Sequence, residues 1–163
     1  MSRSSRREHL RPPHVRRSHA HRSRHRADCV RLGRRLLEGH ALFTALETLR
    51  DGLERCPDDV GLLQAMSRAG MPDEAAHILG KLVAAGQRDA ETIGLLAAAR
   101  KRIGLAIGSQ GTADIRSARA LYEEAYGRER TTWLGINAAT LARFLGDDAF
   151  AIAVAQDVIA LCQ

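Results

Sequence analysis

Four alanines stand at matching places along this chain: Ala45, Ala75, Ala118 and Ala151. Each is followed at i+4 and i+7 by residues of one helical stripe: Leu49 and Gly52, Leu79 and Leu82, Tyr122 and Ala125, Ala155 and Val158. A small residue at the head of such a stripe lets a second helix cross close by, with larger residues filling the flanks. Alanine at each of these places therefore limits the chain to helical hairpins stacked on one another. The four places are separated by 30, 43 and 33 residues, so the units are alike but unequal.

The first unit is the most regular. Cys29, Leu32, Gly33 and Leu36 share a face of its first helix, and Gly33, Ala45 and Pro57 lie twelve residues apart. Pro57 ends the second helix where a missing N–H costs little, and Asp58-Asp59 can cap the next. The second unit is short, with a helix over 60–69 closed by Gly70 and another opened by Pro72-Asp73-Glu74. The third has Asp89 or Thr92 as cap and Ile93, Leu95, Leu96 and Ile103 as its apolar face. Its three glycines at 104–111 predict a mobile surface loop. The fourth reads Trp133-Leu-Gly-Ile-Asn-Ala-Ala-Thr-Leu141, capped by Thr131 or Thr132, with a turn at Gly146-Asp147-Asp148 and a last helix carrying Ala151. The expected fold is all-α: a solenoid of helical-hairpin repeats with about seven to eight helices.

Charge divides the chain in two. Residues 1–26 hold nine arginines and one glutamate, which gives +8, whereas residues 27–163 come to −2. The arm has too few apolar side chains to offset the entropy of ordering, so it is expected to be disordered, with the helical domain over 27–163. Phosphate would attract such an arm, which makes nucleic-acid contact through residues 1–26 the alternative function. Its histidines, His9, His14, His19, His21 and His25, have irregular spacing and predict no defined metal site. No apolar block is long enough to span a membrane. Cys29, Cys56 and Cys162 are odd in number and widely spaced, as expected of reduced thiols in the cytoplasm.

Catalytic chemistry is sparse. His40 and His77 are isolated, and no serine sits in a nucleophile motif. Residues 104–111 have no phosphate-loop lysine in register. Glu47, Arg50 and Asp51 read as a solvated helix face with local ion pairs. The chain is expected to be no enzyme and to need no cofactor. Arg100, Lys101 and Arg102 form a compact basic cluster, which Arg116, Arg119, Arg128 and Arg130 would extend if the third unit folds back. Tyr126 and Trp133 are the bulky residues around the following turn. These five, Arg100, Lys101, Arg102, Tyr126 and Trp133, are the candidate partner-binding residues.

The spacing of Gly33, Ala45 and Pro57 resembles a tetratricopeptide unit. More specifically, Glu91-Thr-Ile-Gly-Leu-Leu-Ala-Ala-Ala-Arg-Lys-Arg102, Ala120-Leu-Tyr-Glu-Glu-Ala-Tyr126 and the Gly135-Ile-Asn-Ala-Ala-Thr-Leu141 run resemble the TRAFs-binding domain. That tetratricopeptide-like region is shared by apoptosis-signal-regulating kinase kinase kinases and by bacterial proteins without a kinase, and this chain looks like a bacterial-type standalone member. The resemblance implies a role in recruiting proteins, and it marks Gly135, Asn137 and Thr140 as motif positions. Gly135 would permit close packing, and Asn137 would cross-link helices through its side chain. The expected function is a cytoplasmic protein-interaction scaffold.

Overall fold

A computed structural model describes residues 28–33, 35, 36, 38 and 42–163. Among these every regular element is helical. Helical residues at 28–33, 35, 36 and 38 precede α1 (Leu42–Arg55), α2 (Val60–Arg68), α3 (Pro72–Ala84), α4 (Ala90–Ile107), α5 (Thr112–Arg128), α6 (Thr132–Phe144) and α7 (Asp148–Leu161). The disorder expected of the arm, its histidines, and His40 lie outside the described residues.

Polar caps define the starts of α2, α4, α6 and α7. Asp59 Oδ1 accepts the Leu62 N–H at 2.9 Å, and Asp89 Oδ1 accepts that of Thr92 at 2.8 Å. Thr131 and Asp147 do the same for α6 and α7. At the other end, Gly70 and Gly146 take φ of +96° and +83°. Each lets the next amide reach back to a carbonyl five residues earlier, Met71 to Met66 and Asp147 to Ala142.

The helices pair as hairpins, α2 with α3, α4 with α5 and α6 with α7, and each hairpin packs on the next. Ala45, Ala75 and Ala118 are fully buried, and Ala151 nearly so. A Cβ on Gly33 would come within 2.8 Å of Leu49 Cδ2, so the backbone at Gly33 lies against α1. Pro57 sits exposed in the turn after α1. Leu49, Leu62, Leu63, Met66, Leu79, Ile93, Ile115 and Tyr122 fill one continuous core with no exposed surface to speak of.

The unequal spacings have a structural origin. α2 is nine residues long and α4 is eighteen. All residues from 92 to 99 are buried, because α4 is covered from several sides by α3, α5 and parts of α2 and α6. The 104–111 segment is not the loop that its glycines suggest. α4 runs on through Gly104 to Ile107, and a 3-10 turn over Gly108–Gly111 leads into α5. A Cβ on Gly104 would lie 2.8 Å from both the Gly111 carbonyl oxygen and Ile115 Cγ1. Gly104 and Gly111 allow two backbones to touch, while residues 105–110 are exposed, so the segment lies at the surface as expected but as helix rather than loop.

Candidate binding groove

The first helices of successive hairpins, α2, α4 and α6, together form one face of the array. Along α4 the residues Glu91, Leu95, Ala98 and Arg102 recur at i, i+4, i+7 and i+11, which stacks them in one stripe. Gln64 and Arg68 stand beside it on α2, and Trp133 and Leu134 on α6. Gln64, Arg68, Trp133 and Leu134, together with Ala90, Glu91, Leu95, Glu129 and Thr131, line a cavity of about 460 Å³ that does not reach Ala98 or Arg102.

Trp133 is the main wall of this groove. A Cβ on Gly94 would strike its ring at 2.8 Å, so glycine at that place is the seat on which the indole rests. Its other contact is Tyr122, edge to face, with ring centroids 5.8 Å apart at 79°. The indole keeps 44% of its surface exposed, whereas Tyr122 has none. Burial pushes the Tyr122 phenol far above its ordinary value, and its hydroxyl has no hydrogen-bond partner among the described residues.

The three consecutive basic residues diverge, because each step along a helix turns about 100°. Arg100 pairs with Asp114 on α5 at 2.9 Å. Lys101 turns toward α6, where its Nζ donates to Asn137 Oδ1 at 2.5 Å and lies 5.7 Å from the Tyr122 ring centroid. Arg102 turns toward α2 and donates to Ser67 Oγ at 3.1 Å. Burial, reinforced by Arg102, pulls the Lys101 ammonium below its usual range. Burial and then Arg68 act on Arg102 in the same direction. The Asn137 amide also donates to the Trp133 carbonyl at 2.8 Å, so one side chain ties α6 to itself and to α4.

Tyr126 lies elsewhere. It is buried between helices, and its hydroxyl donates to Asp157 on α7, which also holds Arg130 at 3.0 Å. Gly135 sits under the same ring, since a Cβ there would meet Tyr126 Cε2 at 2.9 Å. Thr140 is exposed and donates to the Ile136 carbonyl of its own helix. The expected extension of the basic patch is broken at three of its four members, which carboxylates occupy, while Arg116 stands exposed on α5. Arg119 bonds Glu123 and Asp147, Arg128 bonds Glu124, and Arg130 bonds Asp157. Arg50 likewise reaches across to Glu74 at 3.5 Å, not to Glu47 or Asp51. His77 is exposed on α3, and no cluster of metal-ligating side chains occurs among the described residues. None of their helices is long and apolar enough to cross a membrane. Arg68 and Glu91 were not among the expected site residues, and Leu95 was expected only as part of an apolar face. The four-member stripe on α4 was the signal that would have found two of them.

A family model described as Tetratricopeptide Repeats-Sensor matches residues 39–142. Among solved structures, a thermophilic TPR protein from Thermus thermophilus superposes with a TM-score of 0.66 at 21% identity, over 83% of this chain and 74% of that one. A crystal structure of MamA gives 0.61 at 16% identity, over 85% and 73%. A search of curated proteins finds none that matches.

Proposed function

The chain belongs to the Tetratricopeptide Repeats-Sensor family, and on that premise we propose that it is a non-enzymatic scaffold holding a protein partner along the α2–α4–α6 face. The observation that carries this reading is the groove itself. An aromatic wall is held by Gly94 and Tyr122, it stays part exposed, and it stands beside half-buried polar groups. Such a surface suits binding of another chain. In this reading Lys101, Arg102 and Trp133 touch the partner. Arg100 and Tyr126, engaged with Asp114 and Asp157, hold the helices in position. The resemblance to the TRAFs-binding region supports protein recruitment as the use of the face. Three free cysteines accord with a cytoplasmic setting.

A photo-crosslinking residue tests the proposal when placed at Arg68, beside the groove, and in parallel at Lys81, exposed on α3. In native extract the first position should give a discrete adduct with one protein and the second should not. Equal labelling from both positions would refute the groove as the binding face.

A further inference from the structure

We infer that this chain pairs with a second copy of itself through the outer furrow between α6 and α7, a face that shares no residue with the groove. On α6, Thr132, Ile136, Ala139 and Arg143 recur at spacings of four and three and so lie on one side of the helix. On α7 and its C-cap, Asp148, Ile152, Ala155, Ile159 and Cys162 do the same. Two contacts bring these stripes side by side in antiparallel order. Thr132 Oγ1 lies 4.0 Å from Cys162 Sγ at one end, and Arg143 pairs with Asp148 at the other. Between the two ends Ile136, Ile152 and Ile159 are 52%, 58% and 60% exposed.

Among the described residues nothing covers this furrow, and its make-up differs from that of the neighbouring helices. The second helices of the earlier hairpins turn polar side chains to water: Asp73, His77 and Lys81 on α3, and Arg116, Ser117 and Arg128 on α5. On α7 the exposed positions from Ala149 to Leu161 carry Ala, Ile, Leu and a single glutamine, because Asp157 turns in to Tyr126 and Arg130. A helix that is apolar on both sides is one that is covered on both sides, and a solvent-facing end of a stacked array is otherwise polar.

Charge argues for a second copy as the cover. Arg143 and Asp148 stand at one end of the furrow with side chains 70% and 55% exposed, so each has room for another ion. A twofold axis along the furrow sets α6 of each copy antiparallel against α7 of the other and brings the two charged ends together. Each Arg143 then meets Asp148 of the other copy, and the isoleucines pack on one another between. The two helices cover about 20 Å along their axes and about 20 Å across them. That is the small end for a specific interface, so association in the micromolar range is expected.

The test is sedimentation equilibrium of the full chain over a range of concentrations. Ile152→Glu, Ile159→Glu, Arg143→Asp and Asp148→Lys are run in parallel, each checked for helix content by circular dichroism. All four side chains are exposed, so the monomer should keep its fold. Wild type should pass from monomer to dimer as concentration rises. Either isoleucine change should weaken the dimer roughly tenfold or more, as expected for burying an unpaired carboxylate. Arg143→Asp and Asp148→Lys should each weaken it alone, because like charges then face like charges across the axis. An equimolar mixture of these two should dimerise at least as well as wild type, since the acids of one face the cations of the other. Wild type that stays monomeric at millimolar concentration would overturn the proposal, and so would a dimer indifferent to both isoleucine changes. A dimer that mixing fails to restore would overturn the twofold arrangement. Growth beyond two copies would overturn it in favour of head-to-tail stacking. None of these outcomes bears on the groove, which crosslinking from Arg68 tests separately.

Discussion

Tyr122 is among the largest side chains fully removed from water, and its hydroxyl has no partner among the described residues. Replacing it with phenylalanine removes a desolvated polar atom and keeps the ring that supports Trp133. Tyr122→Phe should therefore leave stability at neutral pH unchanged or slightly raised. The pH dependence has a definite sign. The folded phenol is held protonated above its ordinary value of 10.0, so its contribution is complete below that pH and declines as pH climbs past it. Urea denaturation from pH 8 to 11 should show a steeper alkaline loss in wild type than in Tyr122→Phe. The glycines give a matched pair of tests. An added methyl at Gly135 would collide with the Tyr126 ring, and Gly135→Ala should cost about 1–3 kcal/mol in the same assay. At Gly80, in α3, an added Cβ meets nothing within 4 Å, and Gly80→Ala should gain about 0.5–1 kcal/mol from helix propensity.

At the level of elements, α4 depends on its first turn. Asp89 accepts both the Thr92 N–H and its hydroxyl, and that backbone bond, more than any other influence, holds the carboxyl below its ordinary 3.8. The cap is at full strength above that pH and is lost as pH falls through and below it. Asp89→Ala should lower stability by about 0.5–2 kcal/mol at neutral pH, and its gap from wild type should narrow on acidification, by urea titration at pH 7 and pH 3. Caps of this kind are local, which is why Asp89, Thr131 and the turn at Gly146 were legible in the sequence. The helices themselves were legible because Ala45, Ala75, Ala118 and Ala151 repeat a stripe. Residues 104–111 were half legible: their place at the surface followed from the sequence, their helical and 3-10 backbone did not. Their glycines match a loop in composition, and only the approach of Gly104 to Gly111 and Ile115 explains them. Arg100, Lys101 and Arg102 looked like one patch because they are neighbours in sequence. Their partners, Asp114, Asn137 and Ser67, lie 14 to 36 residues away and on different helices, and no local pattern announces them.

Across the whole molecule, stability in a stacked array is shared unevenly between units. α2 has nine residues, whereas α4 has eighteen, eight of them buried in succession. Hydrogen exchange should therefore reach the α2 amides well before those of α4, and equal protection would show that the array unfolds as one body. The ion pairs between units, such as Arg88 with Glu124 and Arg119 with Asp147, help to set how each hairpin sits on the next. One contact in the array has a further use. The chain contains a single tryptophan, and that residue is Trp133, resting on Gly94 and flanked by Tyr122 in the wall of the groove. Its indole is part exposed, so its emission should shift to the blue when the groove is covered and to the red when α4 and α6 separate. The protein thus carries an intrinsic dye at the seam between its third and fourth hairpins, and ordinary fluorescence can follow occupancy of that seam without a label.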